Sequence, residues 1–273
     1  MQFDRLISGI WNGFLGRVML TDLLIARHTL WQMATAQLRS RYAGSVLGIF
    51  WAVATPLLIM GAITFVFTVV FRADIKDFPL LVLSGMMPWM FFSNTLSEAC
   101  GSILGQQSLL RQFKLPVAVL PLGSVLANFL NFLVGWAVIY PLFVFFNPKI
   151  LVLAPLLVFI LACQLFLVSG FALALSVLNV FFRDVGHVLG VMLMFWFWVT
   201  PVFYTLDMVP AQFLWVYQVN PVTPFIVFYQ DIIFSGQIPS GILFIQVILW
   251  TMAVFVSGIV VFMAMEPQIV KKL

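Results

Sequence analysis

From Val188 to Tyr204 the chain carries no charged residue, and a charged corner, Arg183-Asp184 with His187, stands just before it. Five further apolar stretches of this kind share the chain. About 20 consecutive apolar residues cross a hydrocarbon layer ~30 Å thick. A soluble core has room for one such run, not for six, so a bilayer is the main solvent of this chain. The composition agrees: 63% of the 273 residues are hydrophobic and 8% are charged. A soluble domain carries about 25% charged residues.

The six stretches predict an all-α polytopic membrane protein with spans at 46–71, 79–100, 116–146, 151–181, 186–204 and 242–264. All of 1–273 reads as one transmembrane domain. Spans three and four are long enough to tilt or project. Pro56, Pro88, Pro121 and Pro141 fall inside spans, where neighbouring helices can satisfy the carbonyls they free. An even number of crossings puts both termini on one side. That side then holds Arg5, Arg17, Arg27, Arg39, Arg41, Arg111, Lys114, Arg183, Lys271 and Lys272. Arg72, Lys76 and Lys149 lie opposite. This bias places both termini in the cytoplasm.

Residues 20–41 read as an amphipathic helix, capped by Thr21 or Asp22. Leu20, Leu23, Leu24, Leu30, Trp31, Ala34 and Leu38 share one side, and His28, Thr29, Gln32, Ala36, Arg39 and Ser40 share the other. Arg27, Ile25 and Met33 break the pattern. The helix either lies in the cytoplasmic interface, with Arg27 snorkelling to headgroups, or packs on a soluble partner. Residues 1–19 support no role. Arg5 and Arg17 bracket a weak apolar patch without a small-x-small cleavage site, so no ordinary signal peptide is expected.

The connection 205–241 is expected on the outer side. It has no Lys or Arg, and Pro210, Pro221, Pro224 and Pro239 punctuate it. Its apolar pieces, 213–219 and 224–234, are too short to cross. They read as short re-entrant helices buried against protein, or as an interfacial aromatic belt.

Motifs for chemistry are lacking. There is no G-x-x-x-x-G-K-[ST], no G-x-S-x-G and no H-E-x-x-H, so a passage or a scaffold is expected rather than an enzyme. His28 and His187 are too far apart to suggest a metal site. Cys100 and Cys163 read as small apolar residues rather than a disulfide. Glu98 is the one acid inside a span. It either pairs with a basic residue of a neighbouring corner or lines a pathway. Three G-x-x-x-G pieces, 44–48, 101–105 and 186–190, sit at span ends and suggest close helix packing. Residues 102–114 form a short amphipathic piece with Gln106, Gln107, Arg111 and Lys114 as docking groups. An ordinary positive-inside loop is the simpler reading of them.

Several segments carry a resemblance: RSRYAGSVLGIFWAVATP at 39–56, SGMMPWMFFSNTLSEA at 84–99, FKLPVAVLPL at 113–122, LNVFFRDVGHVLGV at 178–191, TPVFYTLDMVP at 200–210 and NPVTPF at 220–225. In this order the chain resembles the membrane subunit of ABC exporters for bacterial surface polysaccharides, which move lipid-linked O antigen, capsule or teichoic acid. The resemblance covers about residues 22–265.

It implies a six-span half-transporter in the bacterial inner membrane that pairs with a second copy. Two separate nucleotide-binding ATPase subunits would hold ATP and Mg, with no cofactor in this chain. It implies that Arg39, Arg41, Gln106, Gln107, Arg111 and Lys114 receive the ATPase stroke, next to the corner Arg183, Asp184 and His187. It implies an outer gate over 211–234, with Tyr204, Phe213, Trp215, Tyr217, Phe225, Phe228 and Tyr229 as candidates. It also implies a sugar-wide channel. Sugar C–H faces slide over aromatic rings without fixed directionality, so Trp51, Trp89, Phe92, Phe195, Trp196 and Trp198, with Glu98, are lining candidates. Lipid-facing or core positions are the alternative for each aromatic. The rival functions are a small-solute or lipid ABC permease and a membrane-embedded envelope-glycan enzyme or scaffold.

Overall fold

The computed structural model of the chain describes residues 26–72, 75–112 and 115–272. These residues are helical with short connections and include no strand. Ten α-helices follow one another: α1 Arg27–Tyr42, α2 Trp51–Thr64, α3 Phe78–Gly105, α4 Gln107–Gln112, α5 Val119–Phe146, α6 Ile150–Phe181, α7 Val185–Trp198, α8 Leu214–Val219, α9 Thr223–Gln230 and α10 Gly241–Lys272. A 3₁₀ turn, Gly48–Phe50, leads into α2, and a π-helical segment, Phe65–Val70, extends it. Four helical stretches among the described residues are long and apolar enough to cross a membrane: Gly48–Val70, Val119–Phe146, Ile150–Phe181 and Gly241–Ile269. α7 is a shorter apolar helix.

α3 is the hub. It packs against α2, α5, α6, α7 and α9, and every residue from Leu80 to Trp89 is buried. Ser84, Gly85, Pro88, Asn94, Thr95 and Ser102 dilute its apolar content, and it is not among the four stretches apolar enough to span. That composition suits a protein-surrounded helix, because small and polar residues let helices meet closely and hydrogen-bond where apolar packing alone has no preference over lipid. Gln164 of α6 donates to the Pro88 carbonyl at 2.9 Å, and the Tyr229 hydroxyl donates to Gln164 Oε1 at 2.8 Å.

The closest backbone approaches occur at glycines. α6 and α10 form the most extensive helix pair, and a Cβ on Gly258 would stand 2.1 Å from the Gly170 carbonyl oxygen. A Cβ on Gly85 would stand 2.2 Å from the carbonyl oxygen of Val202. The three G-x-x-x-G pieces do not do this work within the chain. A Cβ on Gly44, Gly48, Gly101, Gly105 or Gly190 meets nothing within 4 Å, and Gly186 meets only Asn179 Oδ1 at 3.6 Å. Gly44 and Gly48 also have positive φ, Gly44 in the turn that follows α1 and Gly48 at the first position of the 3₁₀ turn.

Several boundaries differ from the sequence reading. The second stretch continues to Gly105, so residues 102–105 belong to α3 and only α4 remains of the amphipathic 102–114 piece. The chain turns at Gln106, whose φ of −123° leaves the helical region. The fifth stretch stops at Trp198. Pro201 has no N–H and disfavours helix in the residue before it, and Thr200 donates its hydroxyl to the Trp196 carbonyl at 2.7 Å. Residues 200–203 are buried, with Val202 lying against Gly85. The sixth stretch runs on to Lys272. α1 begins at Arg27; the proposed start at 20–25 lies outside the described residues, as do residues 1–19. Cys100 and Cys163 are free.

Candidate functional site

Three groups of side chains stand out, one at each end of the bundle and one along an open face. The first joins α1, α3 and α5. Arg41 Nη2 donates to both Glu98 oxygens, at 2.6 and 2.7 Å, and to Asn128 Oδ1 at 3.1 Å. Asn128 Nδ2 donates to Glu98 Oε2 at 2.8 Å. Tyr42 donates its hydroxyl to Asn131 Oδ1, and burial raises the Tyr42 pKa above that of a free phenol. Gln37 Nε2 reaches Ser124 Oγ at 3.4 Å. These bonds tie the end of α1 to α3 and α5. Glu98 is thus ion-paired, and it keeps a 43% exposed side chain.

Beside this latch lies an open cleft of about 530 Å³, lined among others by Gln37, Ser40, Arg41, Glu98 and Gln106. The Oε1 atoms of Gln37 and Gln106 are buried beside it without a hydrogen-bond partner among the described residues. Of the coupling candidates, Arg39 is exposed, Arg41 is committed to Glu98, and Gln107 opens α4 half-buried. The Arg111 side chain and all of Lys114 lie outside the described residues. Arg183, Asp184 and His187 are exposed at the start of α7. The Asp184 carbonyl accepts the Val188 N–H at 2.9 Å, but its carboxylate does not cap the helix.

The second group is aromatic. Trp51 (42% exposed), Phe195 (70%) and Trp198 (58%) stand open. Trp89 and Phe92 do not line any open path in the single chain. They are buried, with Trp89 on Phe92 and Phe197 at 5.5 and 5.7 Å between centroids, and Phe92 edge-on to Trp196 at 5.2 Å. Their position on the enclosed hub α3 explains the difference. Trp196 is half-buried and anchors the end of α7: its Nε1 donates to Asn220 Oδ1 at 2.7 Å, and Asn220 Nδ2 donates to Thr200 Oγ1 at 3.0 Å.

The third group is the connection 205–241, which forms short helices. Phe213 and Trp215 are exposed. Tyr204 donates to the Trp198 carbonyl at 2.8 Å and lies 3.0 Å from the Tyr217 hydroxyl. Phe225, Phe228 and Tyr229 are fully buried core residues of α9 in the single chain. α9 and the π turn Asp231–Ser235 press on α3 and α6.

Sequence reasoning missed Asn128, Asn131, Gln164 and Asn220. The available signal was a polar amide inside or beside a long apolar run, which is costly in lipid and marks a partner.

The model of the ABC-2 type transporter family matches residues 28–234. The O-antigen export system permease protein RfbA of Klebsiella pneumoniae is 30% identical over 220 residues, covering 80% of this chain and 83% of that protein. Its namesake from Myxococcus xanthus is 30% identical over 226 residues, 81% and 85% of the two chains. The polysialic acid transport protein KpsM of Escherichia coli is 22% identical over 244 residues, 84% and 90% of the two chains. The matched region takes in the latch, the aromatic face and most of the outer connection, and this chain belongs to the ABC-2 type transporter family of membrane proteins.

Proposed function

We propose that this chain is the permease subunit of an ATP-driven exporter that moves a lipid-linked polysaccharide, O antigen or a related surface glycan, across the inner membrane. The observation that carries this reading is the 30% identity to O-antigen export permeases over four-fifths of both chains. Six crossings, α2, α3, α5, α6, α7 and α10, leave both termini cytoplasmic. α7 by itself is about 21 Å long at 1.5 Å per residue, and the turn 199–204 completes its crossing.

The working unit is a homodimer with two ATPase subunits, and ATP with Mg acts on those subunits. Val188, Val191, Met192, Phe195 and Trp198 are exposed along one face of α7, and Trp51, Leu58 and Phe65 are exposed along α2 and its extension. A second copy facing these surfaces would enclose a path with aromatic walls. ATP binding would draw the partner subunits together and move α1 and α4. The Arg41–Glu98–Asn128 latch would pass that movement to α3 and α5.

Deleting the gene tests the reading. Loss of surface polysaccharide with accumulation of the lipid-linked polymer inside the cell is the expected result. An intact surface polymer with altered tolerance to small toxic solutes would instead favour a small-solute permease. Charge reversal at Arg111 and Lys114 together tests the coupling role: export should fall while membrane insertion is unchanged.

A further inference from the structure

The outer connection and the start of α10 enclose a cavity of about 280 Å³. Asp207, Tyr217, Gln218, Thr223 and Gln246 line it, with leucine, valine and proline side chains between them. Its polar groups are unspent. Thr223 is 4% exposed, and its Oγ1 is buried without a hydrogen-bond partner. A buried hydroxyl left unpaired is costly, and a turn of the Thr223 side chain toward the cavity would let a ligand satisfy it. The side chains of Asp207, Gln218 and Gln246 make no hydrogen bond to any described residue. Gln246 is an amide on the wall of an otherwise apolar helix, next to the exposed Ile242 and Ile245. Tyr217 has its hydroxyl engaged with Tyr204, so its ring is what remains to offer.

We infer that this cavity is a binding subsite for one neutral sugar ring. This deepens the exporter reading and rests on it. The groups match a pyranose. A carboxylate accepts from two hydroxyls, two amides both donate and accept, and a lone hydroxyl completes the set. The Tyr217 ring and the apolar side chains suit the C–H face of the sugar. The volume equals about nine waters, the bulk of a single ring rather than of a chain. Residues 205–241 contain no Lys or Arg, so nothing there neutralises a phosphate. A single lining carboxylate among amides is a poor set for a hard cation, which takes six to eight oxygen ligands. The subsite lies at the outer end, so it would hold a sugar unit as the glycan emerges and oppose its slipping back.

The full chain, purified with its ATPase partner in nanodiscs, is probed by saturation-transfer NMR. The probes are methyl glycosides of glucose, galactose, mannose, rhamnose and N-acetylglucosamine. At least one glycoside should show transfer to its ring protons. Gln246→Leu and Thr223→Val should each weaken it about three- to ten-fold. Asp207→Asn, at an exposed side chain, repeats the test without disturbing packing. Inorganic phosphate should not compete. Absence of transfer from every glycoside, or equal transfer in wild type and all three variants, overturns the subsite. So does displacement by ethanolamine at lower concentration than any glycoside, which would assign the cavity to a lipid headgroup. Export by the wild-type chain in its host is measured in parallel. Export without sugar binding sinks the subsite alone, whereas an intact surface polymer after gene deletion sinks the exporter reading.

Discussion

α3 and α7 are both membrane-length or near it, yet they meet opposite surroundings. α3 is buried along most of its length, without a break from Leu80 to Trp89, while in α7 only Leu189 and Leu193 are buried. The enclosed helix is the less apolar of the two. It carries Ser84, Gly85, Pro88, Thr95 and Ser102 at buried positions, whereas α7 presents Val188, Met192, Phe195 and Trp198 outward. In water the order would be reversed. In a bilayer, lipid tails are as apolar as leucine, so helices associate through close packing and hydrogen bonds rather than through expulsion of water. Greasiness therefore marks the face left to lipid or to a second copy, and small polar residues mark the centre.

The sharpest way to break this contrast is to enlarge a hub glycine. Gly85→Leu drives a side chain into the Val202 carbonyl, 2.2 Å from the Cβ position. A loss of about 3 kcal/mol or more is expected, read as loss of monodisperse protein on gel filtration. On the open face, Phe195→Ala should leave the fold intact, because 70% of that side chain is exposed in the single chain. It should weaken disulfide cross-linking between copies bearing Trp198→Cys. Unchanged cross-linking would mean that lipid covers this face.

The ends of the two helices give smaller effects. Trp196→Phe removes the bond to Asn220 that fastens the end of α7, for about 1 kcal/mol, visible as a lower melting temperature. At the Glu98 end of α3, a double-mutant cycle with Arg41→Ala and Glu98→Ala should give a coupling of about 1 kcal/mol or less, because both side chains are partly solvated.

A pH effect concerns the cover that α9 and the π turn after it make over α3. Burial, with Asp207 nearby, pushes the pKa of Asp231 up to about 6 from its usual 3.8. The folded state thus holds this proton more tightly than the unfolded one. Stability should fall slightly as pH rises from about 4 to about 6 and then level off. Asp231→Asn should flatten that slope in a thermal-shift series; an unaltered slope would assign it to other groups.

Much of this was legible beforehand. Glu98 read as a possible partner for a basic corner, and the structure supplies Arg41. The outer connection read as short helices set against protein, and α9 is one. Gln106 lines the cleft where α3 ends. By contrast, nothing in the sequence showed that Phe225, Phe228 and Tyr229 are core in the single chain, or that Trp89 and Phe92 lie beneath α7. No periodicity separates these cases, since each ring sits in an apolar segment either way.

The sequence by itself determined that helices must thread a bilayer, where most of them run, and which family the chain joins. Those facts follow from long uncharged runs, the one-sided bias of Lys and Arg, and short motifs readable in order. Tertiary structure alone decided which glycines touch, which aromatics are sealed, and that Asn128, Asn220 and Gln164 hold distant elements together. Hydropathy cannot decide such things here, because lipid and protein interior are equally apolar. The choice between them is made by neighbours remote in the chain: Val202 against Gly85, Gly258 against Gly170, and Asn128 against Arg41.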